Sequence, residues 1–426
     1  MTTTLPRVLL GAGAEPLSDI GAHRDCYGPL PDLHRLAPSA IVELVDRAGL
    51  RGHGGAAFPV ARKLAAVASR RGAKIVLGNG TEGEPASEKD STLLRQVPQL
   101  VLDGAAVAAR AVGAREVIIA LPEDDLLAID AVEAAVTSRR SERRRGEASF
   151  AVVGVPDRFI SGQESALVDL LSGGEGRPTG GAPPFERGIR RAPTLVQNVE
   201  TLAHLALIAR HGADWFRQLG TPEDPGTALV TVSGAVIEPG VYEIEHGMAL
   251  SELLRTAGVA EDLQAVLIGG YFGTWLPAAE LPWLRLAPRL LAESGASLGA
   301  GVIVALGRSA CPVAETARLA DYFAAQSAGQ CGPCVHGLAA IADTVQRVST
   351  GTSDARAGHD LERWAGELPG RGACRYPDGA ARFIASALQV FSAAFGDHAR
   401  NGRCDRCAAR PTLPTPMAIA GYSTGR

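Results

Sequence analysis

The chain lacks any apolar run of the roughly 18 residues that a membrane-spanning helix needs, although 46% of its 426 residues are hydrophobic. It also lacks a large charge of either sign, because the formal net charge at pH 7 is −4. Its first residues, Met-Thr-Thr-Thr-Leu-Pro-Arg, have no charged start followed by an apolar core. These absences predict no direct membrane insertion, no nucleic acid as a partner and no signal peptide.

Cysteine is too sparse for the disulfide framework of a secreted protein, with seven residues in the whole chain. Six of the seven lie between residues 311 and 407. This clustering favours a metal site in a reducing compartment, so we expect a cytoplasmic protein. Cys26 and Cys311 are isolated from the other cysteines, and we predict structural roles for both.

Three cysteines form the most informative pattern in the chain. Cys331 and Cys334 lie in Gln-Cys-Gly-Pro-Cys-Val-His-Gly, and Cys374 follows further along. A short Cys-x-x-Cys with a distant third cysteine is the spacing of an iron–sulfur or zinc site. Together with the loops described below, it predicts electron transfer between a flavin or nucleotide site and a metal cluster.

Hydrophobic patterning predicts three units and a tail. Residues 1–225 alternate helices with short buried strands, as in an open parallel sheet, which gives an α/β fold class. Residues 226–310, which begin after a linker rich in glycine and proline, are predicted to be a small α+β module. Residues 311–410 are predicted to be helical, with one late helix over residues 380–395, and residues 411–426 to be a loose tail.

A glycine-rich loop, Leu50-Arg-Gly-His-Gly-Gly-Ala-Ala-Phe-Pro59, joins two predicted helices. Glycines at positions 52, 54 and 55 permit positive φ angles and a close approach of the backbone to a ligand. The helix that follows offers free N–H groups to a phosphate. The alternative is a plain tight turn.

An acidic loop, Gly78-Asn-Gly-Thr-Glu-Gly-Glu-Pro85, follows a predicted buried strand. Loops at the carboxyl ends of parallel strands are where α/β folds bind ligands. Asn79 can donate and accept hydrogen bonds, and Glu82 and Glu84 can accept them from ribose or ribityl hydroxyls. The alternative is a solvated acidic turn.

A third group of motifs comprises Ser161-Gly-Gln-Glu-Ser-Ala-Leu167, Pro183-Pro-Phe185 and Pro193-Thr-Leu-Val-Gln-Asn-Val-Glu-Thr201. Gln197 and Asn198 carry amide groups that can read a polar ring edge. Phe185 either stacks on an aromatic ring or fills the core.

These motifs, in this order, resemble the NADH-binding flavoprotein subunit of respiratory complex I and its relatives in soluble hydrogenases and formate dehydrogenases. That family carries Arg-Gly-Arg-Gly-Gly-Ala-Gly-Phe-Pro, Asn-Ala-Asp-Glu-Gly-Glu-Pro, Cys-Gly-Glu-Glu-Thr-Ala-Leu and Pro-Thr-x-Val-Asn-Asn-Val-Glu-Thr. Ser-Cys-Gly-x-Cys-x-x-Cys and a later cysteine follow these motifs. The resemblance covers about residues 30–407.

The resemblance implies a Rossmann-like FMN-binding domain, a β-grasp-like SLBB module and a helical-bundle iron–sulfur domain for the three units. It implies an oxidoreductase that uses NADH, FMN and a 4Fe–4S cluster, with hydride passing from NADH to FMN and single electrons passing to the cluster. A protein partner carrying further redox centres is implied to receive them. No side-chain acid or base is required, and Glu84 is the candidate for organising the flavin–nicotinamide pocket.

The resemblance also assigns functional residues position by position. The flavin loop and a neighbouring basic residue correspond to Gly52, Gly54, Gly55, Phe58 and Lys63. The ribityl, phosphate and nicotinamide contacts correspond to Asn79, Glu82, Glu84, Glu164, Phe185, Gln197, Asn198 and Thr201. The cluster ligands correspond to Cys331, Cys334 and Cys374.

The chain departs from the family at several of these motifs. The aspartate of the acidic loop is Thr81, the first glutamate of the Glu-Glu pair is Gln163, and the first asparagine of the Asn-Asn pair is Gln197. The lysine before Pro-Pro-Phe is Ala182. The FMN contacts are therefore mostly kept, whereas the nicotinamide site has lost a charge, and the choice between NADH and NADPH stays open.

The first cysteine of the family's cluster motif is Ala328 here, which leaves three of the four expected thiolates. A substitute ligand could come from His336, Cys404 or Cys407. Otherwise the cluster has three irons, or is a cube with one open iron, or is lost and the cysteines pack as small hydrophobes. Cys404 and Cys407 form a second Cys-x-x-Cys pair, and a separate metal site there is the less favoured interpretation.

Two further hypotheses remain. The substitutions at positions 81, 163, 182 and 328 are compatible with a non-catalytic scaffold or assembly subunit that keeps the fold. A cluster-free FMN diaphorase is the other. The absorbance spectrum separates the three, because a diaphorase without a cluster is yellow rather than brown.

Overall fold

The computed structural model describes residues 7–9, 16–141 and 147–415. The strands of its first unit are β1 (Ile75–Asn79), β2 (Glu116–Pro122), β3 (Ser149–Val155) and β4 (Thr194–Asn198). Its helices are α1 (Ile20–Tyr27), α2 (Pro38–Ala48), α3 (Val60–Ala68), α4 (Lys89–Gln96), α5 (Pro98–Val112), α6 (Leu126–Ser141), α7 (Glu164–Leu170), α8 (Val199–His211) and α9 (Ala213–Phe216).

The four strands form one parallel sheet in the order β3-β2-β1-β4. Alternate residues of β1 face two cores: Ile75 and Leu77 pack into one, and Val76 into the other. This double burial explains why the strand is apolar without alternation. Because β2 and β4 lie on opposite sides of β1, the strand order reverses between β1 and β4 and a crevice opens at their carboxyl ends.

Helices α5 and α8 cover one face of the sheet at very close range. A Cβ atom added at Gly104 of α5 would lie only 1.7 Å from the carbonyl oxygen of Leu202 in α8. The helix backbones therefore touch at this position, which only glycine permits. This contact holds α8, and with it the loop between β4 and α8, against the sheet.

The second unit is built on a five-stranded sheet. Its strands are β5 (Thr227–Gly234), β6 (Gly240–Glu245), β7 (Met248–Ala249), β8 (Leu263–Ile268), β9 (Thr274–Pro277), β10 (Arg285–Leu286) and β11 (Val302–Gly307), and its helices are α10 (Leu250–Ala257) and α11 (Pro288–Glu293). The sheet order is β6-β5-β11-β8-β9, and β7 pairs with β10 separately. Central strand β11 runs parallel to β5 and antiparallel to β8.

The third unit is helical. Its helices are α12 (Pro312–Gln326), α13 (Ala339–Thr350), α14 (Ala357–Glu367), α15 (Tyr376–Val390) and α16 (Ser392–Asn401). The single helix predicted over residues 380–395 is wrong, because Phe391 leaves helical backbone (φ −109°, ψ 23°) between α15 and α16. Its ring packs edge-on against Trp275, 5.3 Å between ring centroids. Burial of an aromatic ring therefore overrides helix continuity here.

The predicted loose tail is also wrong for its described part, residues 411–415. The backbone N–H groups of Thr412 and Leu413 donate to the Glu315 carboxylate at 2.8 and 3.1 Å, and Leu413 is fully buried. The Tyr271 hydroxyl donates to the Pro414 carbonyl oxygen. Residues 416–426 lie outside the described residues.

The predicted fold class is confirmed by a parallel α/β sheet, a small α+β module and a helical C-terminal region in that order. Among the described residues, no helix is both long enough and apolar enough to span a membrane.

Candidate functional site

The predicted flavin-contacting residues meet at the crevice between β1 and β4. Asn79 and Asn198 are direct register partners at the carboxyl ends of these neighbouring strands. The glycine loop lies against them, since a Cβ atom added at Gly54 would stand 3.5 Å from the Asn198 Cβ atom. In open α/β sheets this reversal point is the usual ligand position. Motifs far apart in sequence therefore meet in one place.

The glycine loop closes as a small hairpin. The Gly52 N–H donates to the Phe58 carbonyl oxygen at 2.9 Å, and the Val60 N–H donates to the Leu50 carbonyl oxygen at 3.0 Å. The His53 N–H donates to the Thr201 hydroxyl at 2.9 Å, which ties the loop to the first turn of α8. The Phe58 side chain, near the base of this hairpin, stays 52% exposed and is free to stack on a ligand ring.

Both strand-end asparagines already have protein partners. The Asn79 amide donates to the Gly162 carbonyl oxygen at 3.1 Å, and its oxygen accepts from the Thr81 N–H and hydroxyl. The Asn198 amide donates to Asp90 at 2.7 Å, and its oxygen caps α8. These side chains therefore fix the loops around the crevice, and the loop backbone is left to face a ligand.

Lys63 and Glu164 are also brought together. The Lys63 ammonium lies 3.1 Å from the Glu164 carboxylate, which belongs to the first turn of α7. Gln163, where the family has glutamate, caps the same helix by accepting from the Ala166 N–H at 2.9 Å. The substitution at position 163 thus keeps the helix start without its charge.

Glu82 lies where it stabilises α4. Its two carboxylate oxygens accept from the backbone N–H groups of Asp90 and Ser91 at 2.9 Å each, and one also accepts from the Ser87 hydroxyl. These are the unpaired amides of a helix start, and a carboxylate is favoured there. The assignment of Glu82 to a ribityl contact stays a prediction. In the structure its carboxylate oxygens already accept hydrogen bonds from the protein.

Glu84 points toward the second unit. Its carboxylate accepts from the Tyr271 N–H at 2.8 Å, and the side chain is buried. Burial raises the pKa of Glu84 to about 8, although the hydrogen bond from Tyr271 opposes the shift. A buried carboxyl group protonated at neutral pH therefore joins the acidic loop to the second unit.

Glu84 should make the stability of the chain depend on pH. With its pKa raised from 4.5 to about 8, the folded state keeps a proton that the unfolded chain releases in that window. The stabilisation is complete below pH 4.5 and is lost as pH rises to about 8, by up to about 1.4 kcal/mol per pH unit. Glu84→Gln, which cannot ionise, should remove this decline in urea-unfolding midpoints measured across the window.

The matched control is Glu88→Gln, which removes a nearby exposed carboxylate and should leave the decline unchanged. Parallel stability–pH curves for wild type and Glu84→Gln would contradict the assignment of this titration to Glu84.

The Phe185 ring is covered by an arginine side chain. Phe58 precedes the start of α3, whereas the Arg70 guanidinium, beyond the end of α3, covers the Phe185 ring at 5.1 Å. Arg70 also pairs with Glu186 at 2.6 Å. Phe58 and Arg70 thus flank opposite ends of a nine-residue helix of about 14 Å, and the Phe185 ring is covered by the residue at the far end.

Sequence reasoning missed a buried charge network beneath the glycine loop. The Lys89 ammonium lies 2.7 Å from Asp90 and 2.9 Å from Glu200, and His53 Nδ1 lies 3.0 Å from Glu200. Burial alone would raise the pKa of Glu200, but His53 and Lys89 hold it well below its usual value. The signal that could have predicted this network is the position of these residues inside or just after the three sequence motifs.

A cavity of about 190 Å³ lies between this network and the second unit. It is lined by glycine-loop residues, by Lys89 and Glu200, and by His246 and Gly299 of the second unit. Burial lowers the pKa of His246 to about 4, which keeps that imidazole neutral in the cavity wall.

The residues present fit FMN on two observations. The Gln197 side chain on β4 is buried, and its Nε2 atom has no hydrogen-bond partner within the described residues, so it leaves a donor for a ligand acceptor. Gly54 is exposed, and ordinary space lies where its side chain would be. Gln197 precedes Asn198 on β4, and Gly54 packs against Asn198, so both residues adjoin the strand end at the crevice.

The three predicted cluster cysteines meet at the entry to α13. The N–H groups of Cys334 and Val335 donate to the Cys331 carbonyl oxygen at 3.1 and 3.0 Å, which makes the turn. Burial raises the pKa of the Cys331 thiol, but hydrogen bonds from Ala373 and Cys334 outweigh it and lower that pKa. Because Ala373 precedes Cys374, this contact brings the distant cysteine to the turn. The donor set is three thiols, which fits three corners of an iron–sulfur cluster.

Two of the three proposed substitute ligands, Cys404 and Cys407, lie away from this turn, whereas His336 belongs to the same segment as Cys334, Pro333–Leu338. His336 is exposed, and the Cys404 and Cys407 sulfur atoms lie 3.7 Å from each other in a separate group with Cys311. The prediction that Cys311 is isolated is therefore wrong: its sulfur lies 3.5 Å from that of Cys407, because the chain end folds back onto the start of α12.

Aromatic side chains join the flavin crevice to the cysteine turn. Phe159 begins the short turn that contains Gly162, and its ring lies edge-on to Tyr376 at 5.6 Å and to Tyr322 at 5.9 Å. Tyr376 follows Cys374 by two positions. The Gln330 side chain donates to the Pro178 carbonyl oxygen at 2.7 Å. The two sites therefore lie on either side of one packed junction.

Three family models match consecutive parts of the chain. The Nuo51 FMN-binding domain matches residues 45–207, the SLBB domain matches residues 229–263, and the NADH-ubiquinone oxidoreductase-F iron–sulfur binding region matches residues 314–398. These ranges contain the crevice, the first part of the second unit and the cysteine turn. The Cys404–Cys407 pair lies outside them.

Individual proteins with similar sequences point to the same family. An NADH-quinone oxidoreductase subunit of Rhizobium meliloti is 32% identical over 389 residues, covering 87% of this chain and 91% of the relative. The alpha subunit of the NAD-reducing hydrogenase HoxS of Cupriavidus necator is 32% identical over 340 residues, covering 77% of this chain and 55% of that subunit.

A solved structure agrees. The crystal structure of an NAD+-reducing NiFe-hydrogenase in the H2-reduced state matches with a TM-score of 0.83 and 31% identity, covering 92% of this chain and 67% of that chain. The same hydrogenase in the air-oxidised state matches with a TM-score of 0.81, and this chain spans 65% of its length. The chain belongs to the NADH-quinone oxidoreductase-F family of FMN-binding, iron–sulfur electron-transfer subunits.

Proposed function

We propose that this chain seats FMN in the crevice between β1 and β4 and takes electrons into it from a nicotinamide dinucleotide. The observation that carries the proposal is the register pair of Asn79 and Asn198 at the point where the strand order reverses, with the Gly54 backbone against it. Bound FMN would supply hydride acceptance from NADH and single-electron delivery to an iron–sulfur cluster.

The role of the protein is to hold and orient FMN. Asn79 and Asn198 are positioning residues, because their side chains bond to the Gly162 carbonyl oxygen and to Asp90 rather than facing the crevice freely. Gln197 would donate to a flavin acceptor from its Nε2 atom, which has no partner in the part of the chain that the structure describes. Gly54 allows the backbone to lie directly against the flavin, which a side chain would prevent.

Phe58 is the proposed stacking residue for the nicotinamide. Its ring is 52% exposed in the glycine loop, whereas Phe185 is already covered by Arg70. Ala182, where the family has lysine, is exposed and supplies no charge to a dinucleotide phosphate. We therefore infer that dinucleotide binding is retained but weak.

We assign an iron–sulfur cluster to Cys331, Cys334 and Cys374, held by three thiolates. Burial raises the pKa of the Cys334 thiol to about 12, so that residue becomes a thiolate only with cations beside it. The aromatic junction supports transfer over a short distance between the two sites. A protein partner with further redox centres would then receive the electrons, in the cytoplasm where NADH is available.

A scaffold subunit is the second candidate function. Ala328 and Ala182 favour it, because each replaces a family residue with a side chain that can neither ligate nor pair. A cluster-free diaphorase would share Ala328 but still react with NADH. Iron and flavin counts together with NADH reactivity distinguish the three.

NADH should reduce the FMN-loaded chain, and only at high concentration. Anaerobic mixing should bleach the flavin absorbance, and Ala182→Lys should lower the NADH concentration for half-reduction several-fold. The reason is that one partly exposed charge contact contributes about 1 kcal/mol. Ala182→Gln, which adds length without charge, is the matched control and should behave like wild type.

If millimolar NADH and NADPH both leave the flavin oxidised while dithionite reduces it, the chain is not a dehydrogenase on its own. The scaffold, or a subunit reduced by its partner, would then replace the present proposal.

A further inference from the structure

Four metal-ligating side chains form a compact group at the C-terminal end of the helical unit. They are Cys311, His398, Cys404 and Cys407, and their ligand atoms all lie within 4.8 Å of one another. We call them the thiol–imidazole group. Nothing in the electron-transfer proposal uses this group. Cys311, Cys404 and Cys407 lie outside residues 314–398, which the iron–sulfur model matches.

The spacing of these atoms is that of a single tetrahedral ion. Sulfur atoms that share one zinc ion at about 2.3 Å stand about 3.8 Å apart, and a zinc-bound nitrogen stands slightly closer to each sulfur. The Cys404 and Cys407 sulfur atoms lie 3.7 Å apart, and those of Cys407 and Cys311 lie 3.5 Å apart. His398 Nε2 lies 3.4 Å from the Cys311 sulfur and 3.8 Å from the Cys407 sulfur.

The histidine is oriented for coordination. His398 is buried, and its Nδ1 atom lies 3.4 Å from the Ser349 carbonyl oxygen. A carbonyl oxygen only accepts, so Nδ1 carries the ring proton and Nε2 turns its lone pair toward the three sulfurs. A metal-bound histidine is commonly held by such a backbone carbonyl.

Backbone hydrogen bonds also fix the positions of the three cysteines. Cys311 is the residue just before α12, and its sulfur accepts from the Ala314 N–H at 3.5 Å. Cys404 and Cys407 flank a tight turn closed by the Cys407 N–H donating to the Cys404 carbonyl oxygen at 3.0 Å. The Arg406 guanidinium holds this turn by donating to the carbonyl oxygens of Arg308 and Ala310 at 3.2 and 3.4 Å.

We propose that the thiol–imidazole group binds one structural Zn²⁺ ion, separate from the iron–sulfur cluster. Four protein ligands close the coordination shell, so the ion has no open position for catalysis, and zinc has no redox chemistry to add to the electron path. It joins the start of α12 to α16 and the chain end. The ion would thus fix the last segment, including buried Leu413, against the helical unit.

The test counts metals in the full chain purified without oxygen. One zinc per chain should remain after dialysis against a chelator, in addition to iron and sulfide. Cys407→Ala should lower zinc at least about tenfold and leave iron and sulfide unchanged. Cys334→Ser should do the reverse. Cys26→Ala, outside both groups, is the matched control and should change neither metal.

If Cys407→Ala does not fold, a cobalt titration of the wild-type chain tests whether the thiol–imidazole group binds a metal ion. Apo protein titrated with Co²⁺ should develop the intense bands of tetrahedral thiolate-bound cobalt, saturating at one ion and disappearing when zinc is added. Three results overturn the proposal: no zinc and no cobalt bands, a Cys404–Cys407 disulfide in the purified chain, or one iron in this group in place of zinc.

Discussion

Gly54→Val should abolish FMN retention while the chain stays folded. A Cβ atom at position 54 would make only an ordinary contact with the Asn198 Cβ atom, at 3.5 Å, so the protein itself accommodates the new side chain. The branched methyl groups would instead occupy the space where the flavin must approach the backbone. Overpacking of a closed site costs about 1–3 kcal/mol, and the upper end corresponds to about 150-fold in affinity.

The measurement is the flavin-to-protein ratio after reconstitution and gel filtration, with circular dichroism to confirm folding. Gly366→Val is the matched control, because Gly366 is also exposed and a side chain there meets nothing within 4 Å. It should retain FMN like wild type. Wild-type protein that never takes up FMN, or a Gly54→Val chain that keeps it, would count decisively against the crevice as the flavin site.

Cys334→Ser should remove most of the iron and acid-labile sulfide from anaerobically purified protein. The turn supplies three thiols where the family supplies four, so losing one leaves two, and we expect at least about a tenfold loss of iron. Cys334 is the most buried of the three, at 3% exposure, so its thiolate would be the best shielded from solvent.

Iron, sulfide and zinc counts per chain check this prediction, with Cys26→Ser as the control that keeps all three. Zinc that is lost together with Cys334, without sulfide, would indicate a structural zinc site at the turn. Metal-free wild-type protein with all three thiols available for alkylation would mean that the cysteines hold no cluster. The cluster assignment would then be withdrawn.

Local patterns carried much of the prediction. The buried strand that ends at Asn79 and the helix after the glycine loop were predictable, since apolar spacing and glycine ends are properties of short segments. Ordered motifs then identified the family, because each motif encodes one loop with its own backbone requirement. The sequence alone was thus sufficient for the fold class, the order of the units and the cofactor classes.

The sequence did not predict which partners individual side chains would bind. Glu82 and Glu84 are two residues apart in one acidic loop, yet one stabilises the start of α4 and the other is buried against Tyr271. Sequence patterns describe what a carboxylate can bind, whereas the free energy of burial and the nearest N–H groups decide what it does bind.

Only the tertiary structure could pair residues that are distant in the chain. Cys311 looked isolated because Cys407 is 96 positions away, yet their sulfurs lie 3.5 Å apart. The chain end reaches that position because Glu315 binds the N–H groups of residues 412 and 413 and Leu413 is buried. Short-range patterning determined which elements form and which chemistry the loops carry, while long-range packing, which no local pattern encodes, decided which of those groups meet.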